Sequence, residues 1–261
     1  MVTCSKDLKI VDSHFHLGEC RVFDLNVSEK EVINVLNTYR FSATILQPFP
    51  GAFPQPPVHV LNRIYELSRK YEGRIFGIVN INPHVIEQSE WKNQVKKWIK
   101  EKGFVGIKVH TIGHAINLLT KDADIIFETA NELEVPVMVH TGLGQPFASP
   151  THLCRYAENY PDLKIILAHA GFIFSAADAL LVAKNYKNIY LETSWSTMED
   201  IKLFIEKLGA EKVMFGTDLP TNVPIEFAKV NNMNLNDDQK NWFLCKTAEK
   251  VFNIKVSGFQ L

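Results

Sequence analysis

The sequence is short of the features that would place the protein outside the soluble globular class. Among 261 residues there are only four cysteines (Cys4, Cys20, Cys154 and Cys245), and no two of them have CxxC spacing. We therefore expect reduced thiols in a reducing compartment, rather than a disulfide framework or a cysteine zinc cluster. No apolar run approaches the ~18 residues needed to span a membrane. Residues 1–9 lack the apolar stretch and cleavage signal of a secretory leader, so we expect a cytoplasmic protein.

An excess of charge of one sign is also missing. Lysine and arginine number 28 against 29 aspartate and glutamate residues, which gives a formal net charge of −1. Nothing in this balance favours a polyanion, so we expect no nucleic-acid partner. Because no apolar run is long enough to span a membrane, we expect no membrane partner either. A homodimer is compatible with the sequence, which does not determine the oligomeric state. With 46% hydrophobic and 22% charged residues, the composition is that of a globular protein.

Short β-branched runs alternate with helical patterns along the whole chain. The candidate strands are residues 10–16, 43–49, 76–82, 106–110, 136–141, 164–169, 188–193 and 213–217. The candidate helices are residues 28–40, 58–71, 87–102, 122–134, 151–159, 176–186, 198–208 and 237–252. Apolar strands that are each followed by a helix predict a parallel sheet covered on its outer face.

Eight such units in one chain of this length match a single (β/α)8 barrel, the TIM barrel of the α/β class. A doubly wound open sheet is the alternative, but no candidate strand is followed by a GxGxxG sequence. No shift to linker-like composition divides the chain. We therefore predict one domain over residues 1–261.

Histidines mark the carboxyl ends of the candidate strands. Five of the nine histidines lie there, and an aspartate directly follows the eighth strand: His14, His16, His110, His140, His169 and Asp218. In a barrel this end of the strands faces the active site. Burying so many polar groups together is costly unless each is paired or coordinated, so the pattern favours a metal site.

The sharpest local pattern is the pair of histidines in the first strand. Side chains at i and i+2 of a strand point to the same face, so His14 and His16 both project into the barrel mouth. Two adjacent imidazoles can grip a divalent metal, and His140 and Asp218 supply the remaining ligands. Nitrogen and carboxylate ligands favour Zn²⁺, with Mn²⁺ or Fe²⁺ as alternatives. We expect one divalent metal ion, and a second is left open.

Five motifs occur in the order seen in the amidohydrolase superfamily: Asp-Ser-His-Phe-His (12–16), Gly-Ile-Lys-Val-His (106–110), Val-Met-Val-His-Thr-Gly (137–142), Leu-Ala-His-Ala-Gly (167–171) and Phe-Gly-Thr-Asp-Leu-Pro (215–220). They most resemble the amidohydrolase 2 branch, which includes the aminocarboxymuconate-semialdehyde decarboxylase-like enzymes. The resemblance implies that His14 and His16 are the first-strand metal ligands, His140 the fifth-strand ligand and Asp218 the eighth-strand aspartate. It also places His169 at the sixth-strand histidine, which binds a second metal or polarises the substrate.

Four further residues are candidates with open roles. Lys108 falls where binuclear relatives carry a carboxylated lysine that bridges two metals, and the alternative is a lysine paired with a neighbouring carboxylate near the barrel floor. His110 is open between metal ligand, substrate contact and donor to a ligand. Arg21 and His114 are weaker candidates for binding the substrate.

The expected chemistry is that of a metal-dependent hydrolase. A bound metal lowers the pKa of its water towards ~7, Asp218 would accept the proton, and His169 would stabilise charge on a carbonyl oxygen. The substrate would be a small amide, lactone or ester. The alternative is a metal-dependent decarboxylase of a small unsaturated or aromatic acid, and the lack of a basic cluster near the mouth favours the hydrolase. A third interpretation is a barrel that keeps its metal for a structural or regulatory role only.

Overall fold

The computed structural model describes residues 8–144 and 146–257, and it forms nine β-strands within them. These are β1 (Val11–Cys20), β2 (Leu25–Val27), β3 (Ala43–Pro48), β4 (Ile75–Gly77), β5 (Ile107–Val109), β6 (Val137–His140), β7 (Ile165–Ala168), β8 (Ile189–Glu192) and β9 (Val213–Met214). β2 pairs antiparallel with β1, and every pairing between the other strands is parallel. The eight parallel strands overlap the eight predicted ones. The prediction about a leader falls mostly on residues 1–7, outside the described residues.

Backbone hydrogen bonds join these strands into a ring. One sheet has the order β2-β1-β3-β4 and the other the order β5-β6-β7-β8-β9. Parallel bridges connect the two sheets on both sides, between Val79 and Ile107 and between Phe15 and Asp218. The strands therefore follow one another around a circuit in which β1 lies beside the segment after β9. This arrangement confirms the predicted (β/α)8 barrel.

Helices follow the strands and cover the outside of the ring. They are α1 (Glu29–Thr38), α2 (Val58–Lys70), α3 (Gln88–Lys100), α4 (Asp124–Leu133), α5 (Cys154–Asn159), α6 (Ala176–Asn185), α7 (Met198–Leu208), α8 (Val223–Asn232), α9 (Asp237–Asn241) and α10 (Thr247–Phe252). A π-helical turn at Trp242–Lys246 joins α9 to α10. Each long helix buries one apolar stripe, as Val60, Leu61 and Ile64 do on α2.

The structure differs from the predicted elements at several places. The strand predicted over residues 76–82 ends at Gly77 as β4, and the helix predicted over residues 237–252 is divided by the π-helical turn. The first predicted strand ends at residue 16, but β1 continues to Cys20 and turns back as a hairpin through β2, which is too short to show alternation. Helix α8 has no predicted counterpart, and it carries Pro224 in its first turn, where proline is tolerated. The predicted starts of α4 and α5 form short 3₁₀ turns instead.

Apolar packing closes the amino end of the barrel and leaves its carboxyl end for polar groups. Val11, Ile45 and Met138 form one cluster with Val251 of α10. The segment after α10 lies against the start of β1, where Lys9 Nζ donates to the carbonyl of Val256 at 2.7 Å. The described cysteines are free thiols, and Cys4 lies outside the described residues. No helix within residues 8–144 and 146–257 is long and apolar enough to cross a membrane.

Candidate metal centre and active site

A β-bulge in β1 sets the direction of its paired histidines. The register of β1 against β3 shifts just after Asp12. The Asp12 carboxylate accepts the main-chain N–H of His14 at 3.2 Å, and it accepts the N–H and hydroxyl of Thr217 at 3.0 and 2.5 Å. These bonds tie β1 to the segment after β9. They hold Asp218 beside His14 and His16. Bulges are common next to functional sites, where they redirect a side chain.

Atoms of both β1 histidines and of Asp218 converge on one point. Nε2 of His14 lies 3.3 Å from Nε2 of His16, and each lies 3.2 Å from Asp218 Oδ1. The other ring nitrogens point away: His14 Nδ1 contacts Glu192 Oε2 at 2.7 Å, and His16 Nδ1 contacts the carbonyl of Pro48 at 3.2 Å. A neutral imidazole carries one proton, so both Nε2 atoms present lone pairs to the shared point.

His140 and His169 lie next to this convergence. His140 Nε2 donates to the carbonyl of Leu143 at 2.9 Å, and its Nδ1 is buried with no hydrogen-bond partner among the described residues. The His169 ring centroid lies 4.9 Å from those of both His14 and His140. His169 Nδ1 is 2.9 Å from the hydroxyl of Ser194. The structure therefore gathers all four histidines on one side of the mouth.

The converging lone pairs fit a divalent cation. Ligand atoms of His14, His169 and Asp218 all lie within 4.8 Å of one another. Unprotonated nitrogens and a carboxylate oxygen repel one another in a buried site unless a cation lies among them. The unpartnered Nδ1 of His140 is a further lone pair that a cation would satisfy. The ligand atoms that lie within 4.8 Å of one another belong to two of the predicted ligands, His14 and Asp218, and to His169, which the resemblance places at a second metal or at the substrate.

Burial keeps the histidines of the centre neutral. It lowers the pKa of His14 and His169 well below the ordinary histidine value, and it lowers that of His140 to about 4. Burial raises the pKa of Asp218, but electrostatic interactions in the centre lower it by more, so the carboxyl group is ionised. Neutral imidazoles and an ionised carboxylate are the protonation states that a metal ligand requires.

Lys108 lies inside the centre rather than at the barrel floor. Its side chain is buried, and Nζ lies 2.9 Å from His14 Nε2. Burial lowers the pKa of Lys108 to about 8, although Asp218 and Glu192 act in the opposite direction. No carboxylate of the described residues lies within ion-pair distance of its amine. The expected ion pair between Lys108 and a neighbouring carboxylate is therefore absent among the described residues.

Hydrogen bonding favours one of the three roles left open for His110. The main-chain N–H of Gly113 donates to His110 Nδ1 at 3.0 Å, so the proton of the neutral ring lies on Nε2. The ring stacks on His140 with a centroid distance of 4.1 Å and contacts Phe23 at 5.6 Å. A ring in this state has no free lone pair for a metal. This geometry favours a substrate contact, with Nε2 as the donor.

The two weaker substrate candidates differ in their burial. Arg21 is exposed in the β1–β2 hairpin, with its guanidinium 4.5 Å from the centroid of the Phe53 ring. His114 is buried, both of its ring nitrogens lack partners among the described residues, and burial lowers its pKa to about 3. Neither side chain hydrogen-bonds to a residue of the centre within residues 8–144 and 146–257.

Three residues at the end of β8 complete the site, and none of them lies in the five sequence motifs. Glu192 accepts from His14, Ser194 contacts His169, and Trp195 Nε1 donates to Asp218 Oδ2 at 2.8 Å. One signal was available. Glu192 is the only charge in the run Ile-Tyr-Leu-Glu-Thr, and a carboxylate in a buried strand is rare unless it is paired.

The backbone is strained where these residues leave their strands. His169, Trp195 and Asp218 have φ values of 64°, 67° and 68°, in the left-handed region that residues other than glycine seldom adopt. Each such residue costs on the order of 1–3 kcal/mol and persists only where the surroundings determine it. Strain at three strand ends around one point is typical of a functional site.

Solved structures of similar fold include decarboxylases and a hydrolase. The chain matches 5-carboxyvanillate decarboxylase from Novosphingobium aromaticivorans, complexed with manganese and a nitrobenzoic acid, with a TM-score of 0.77 and 16% identity over 97% of this chain and 100% of that one. 2,6-Dihydroxybenzoate decarboxylase from Rhizobium gives 0.71 and 15% over 94% and 99%. A probable 2-pyrone-4,6-dicarboxylic acid hydrolase from Acinetobacter baumannii gives 0.66 and 16% over 95% and 100%.

These TM-scores establish a shared fold. No curated protein matches the sequence. The family model described as "Amidohydrolase" matches residues 34–254, which is most of the barrel and includes His140, His169 and Asp218. The motif order and the geometry of the strand ends agree with that match. The chain therefore belongs to the amidohydrolase family of enzymes, in its amidohydrolase 2 branch.

Proposed function

We propose that the protein is a metal-dependent decarboxylase of a small aromatic or unsaturated carboxylic acid. The observation that carries the proposal is the set of aromatic rings beside the metal centre. Phe49 stacks on His16 at 4.4 Å, Phe23 lies on His110, and Trp195 donates to Asp218. Such surfaces suit a flat, conjugated acid. The likeness to two decarboxylases of substituted benzoates supports this alternative over the hydrolase that the sequence analysis preferred.

The proposal assigns one divalent metal to the donor set of the centre. His14, His16, His140 and Asp218 would hold one divalent ion, which supplies a positive charge that orients the substrate and offsets its negative charge. The manganese of the structural neighbour makes Mn²⁺ as strong a candidate as the predicted Zn²⁺. Metal analysis of the purified protein, with activity measured after reconstitution with each ion, decides between them.

The chain's own residues bind the substrate and move the proton. His110 Nε2–H donates to the substrate anion beside the ring of Phe23. Asp218 and His169 are the groups that handle protons at the reacting carbon. In a decarboxylation that carbon gains a proton and its bond to the carboxylate breaks. The products are CO₂ and a molecule in which hydrogen replaces the carboxylate.

The test is a direct comparison of two reactions with the metal-loaded protein. Carboxyl-labelled 5-carboxyvanillate and 2,6-dihydroxybenzoate are assayed for CO₂ release, and 2-pyrone-4,6-dicarboxylate is assayed for ring opening. We expect CO₂ release from an aromatic acid, and none from the His14→Ala/His16→Ala variant. Ring opening of the lactone without CO₂ release would overturn the proposal in favour of the hydrolase. The likeness to the pyrone hydrolase is the observation that favours that second candidate.

The remaining expectations concern partners and location. A homodimer, the absence of nucleic-acid and membrane partners, and a cytoplasmic location stay predictions from the sequence. Size-exclusion chromatography coupled to light scattering measures the first of these directly.

A further inference from the structure

Glu192 accepts hydrogen bonds from four donors in the interior of the site. Its Oε2 accepts His14 Nδ1 at 2.7 Å, the hydroxyl of Ser194 at 3.0 Å and the main-chain N–H of His169 at 3.2 Å. Its Oε1 accepts the main-chain N–H of Ser194 at 2.6 Å. Main-chain N–H groups can only donate, and one faces each oxygen. The carboxylate therefore acts as an acceptor through both of its oxygens.

This arrangement determines where the proton of His169 lies. The Ser194 hydroxyl has one proton, and it donates that proton to Glu192. The same oxygen lies 2.9 Å from His169 Nδ1, so it can only accept there, and Nδ1 must carry the proton. With the reverse arrangement, two oxygens would face each other in a buried site with no proton between them, which is unfavourable. The neutral ring of His169 therefore presents a lone pair at Nε2.

We propose that Glu192 is a positioning residue that sets the tautomer of two neutral histidines at once. It acts directly on His14, whose Nε2 is left as a metal ligand, and through Ser194 on His169, whose Nε2 is left as a proton acceptor. This inference rests on the proposed function, because it assigns His169 the part of a base toward the substrate. It replaces the expectation that neutral His169 stabilises a carbonyl oxygen, since that requires a proton on Nε2.

The fold makes room for this carboxylate at one glycine. A Cβ atom added at Gly216 would lie 2.3 Å from Glu192 Oε1 and 3.1 Å from the Cβ of His14. Contacts under 3.0 Å do not occur at real Cβ atoms, so a larger residue at position 216 would displace the carboxylate. Gly216, after β9, therefore leaves the space that the Glu192 carboxylate occupies.

The first test reads the position of the proton. Protein labelled with ¹⁵N-histidine and loaded with diamagnetic Zn²⁺ is examined by long-range ¹H–¹⁵N correlation, with the His169 signals assigned by their loss in His169→Gln. We expect the Nδ1–H form of His169 in the wild type and a shift towards the Nε2–H form in Ser194→Ala. Ser196→Ala is the matched control, because the Ser196 hydroxyl donates to the main-chain carbonyl of His169 and not to its ring.

The second test uses metal affinity to separate the effect of Glu192 on His14 from its effect on His169. Ser194→Ala should leave the Kd for Mn²⁺ within about twofold and lower kcat by about tenfold with little change in KM, whereas Glu192→Gln should raise that Kd by roughly 10- to 100-fold. An Nε2–H form of His169 in the wild type, or equal proton positions in Ser194→Ala and Ser196→Ala, would overturn the inference. The NMR and affinity readouts need no substrate. A failure of the proposed decarboxylation is therefore distinguishable from a failure of this inference.

Discussion

At the residue scale, each ligand histidine is oriented by a bond on the nitrogen that points away from the centre. Glu192 does this for His14, and main-chain carbonyls do it for His16 and His140. These outer partners decide which nitrogen keeps its lone pair. The orientation of each ring therefore depends on residues outside the centre.

The paired ligands of β1 give the first prediction. Replacing both His14 and His16 by alanine removes two ligand atoms that lie 3.3 Å apart, so the remaining groups cannot complete a coordination sphere. We expect loss of bound metal by elemental analysis and loss of activity. His59→Ala, at an exposed position on α2, is the matched control and should keep its metal. Unchanged metal content in the double variant would show that the ion is held elsewhere.

Asp218 gives a second prediction, which separates binding from chemistry. In Asp218→Asn the amide oxygen can still coordinate beside three histidines, so most of the metal should remain. Turnover per bound metal should fall by at least ~10²-fold, the scale of a lost acid–base group. Rates are compared per metal, because a variant that simply loses metal would imitate a catalytic defect. Equal turnover per metal would remove Asp218 from proton transfer and leave His169 as the acid–base group.

At the element scale, the site depends on how the segment after β9 meets β1 and β8. Gly216 lies between the Glu192 carboxylate and the Cβ atom of His14, and the main-chain N–H of Thr217 donates to Asp12. We predict that Gly216→Ala destabilises the protein by roughly 1–3 kcal/mol, the usual cost of overpacking a core, and weakens metal binding. Denaturant unfolding and metal titration measure the two effects.

A double variant identifies the cause of that destabilisation. Glu192→Ala/Gly216→Ala removes the side chain that the new methyl group would meet, so the two changes should not be additive. The added cost of Gly216→Ala should be smaller in the Glu192→Ala background than in the wild type. Additive costs would mean that the methyl group acts through some other contact.

The sequence predicts the elements of the barrel better than it predicts the connections between them. Strand and helix patterns are local, so the eight parallel strands could be read from runs of β-branched residues. The β1–β2 hairpin could not, because β2 has three residues and its pairing depends on the turn. The ligand histidines are visible as strand-end residues. Their partners are not: Glu192 lies 178 positions from His14, and the carbonyl of Pro48 has no side-chain signature.

At the scale of the whole molecule, burying neutral histidines makes stability depend on pH. The folded pKa is about 3 for His114 and about 4 for His140, against ~6.5 for an unfolded histidine. Below pH ~6.5 the unfolded chain binds protons that the folded protein does not. The stability that these neutral histidines contribute is therefore fully present above pH ~6.5, and it is lost as the pH falls towards their pKa values in the folded protein. Each such histidine adds a slope of about 1.4 kcal/mol per pH unit.

His114 allows this slope to be tested away from the ligand atoms. Its ring has no hydrogen-bond partner among the described residues, so His114→Leu removes a buried titrating group without breaking a bond. We expect the free energy of unfolding of the metal-free variant to fall less steeply between pH 6 and 4, by about 1.4 kcal/mol per pH unit. His59→Ala should keep the slope of the wild type. Parallel curves for His114→Leu and the wild type would contradict the assignment.

The ring of strands also supports the prediction of a single domain. The bridge from Phe15 to Asp218 joins β1 to the segment after β9, and the bridge from Val79 to Ile107 joins the segment after β4 to β5. The two sheets are therefore connected on both sides. We propose that residues 8–257 unfold together. Coincident denaturation curves from tryptophan fluorescence and far-ultraviolet circular dichroism are the expected result, and separate midpoints would indicate more than one unit.

The contact between β1 and the segment after β9 has a consequence for how the protein is made. A ribosome releases His14 and His16 some two hundred residues before Asp218 and the Thr217 hydroxyl that braces Asp12. The carboxylate of Asp218 is therefore the last group of the centre to be synthesised, and the complete donor set forms only once the segment after β9 has folded beside β1.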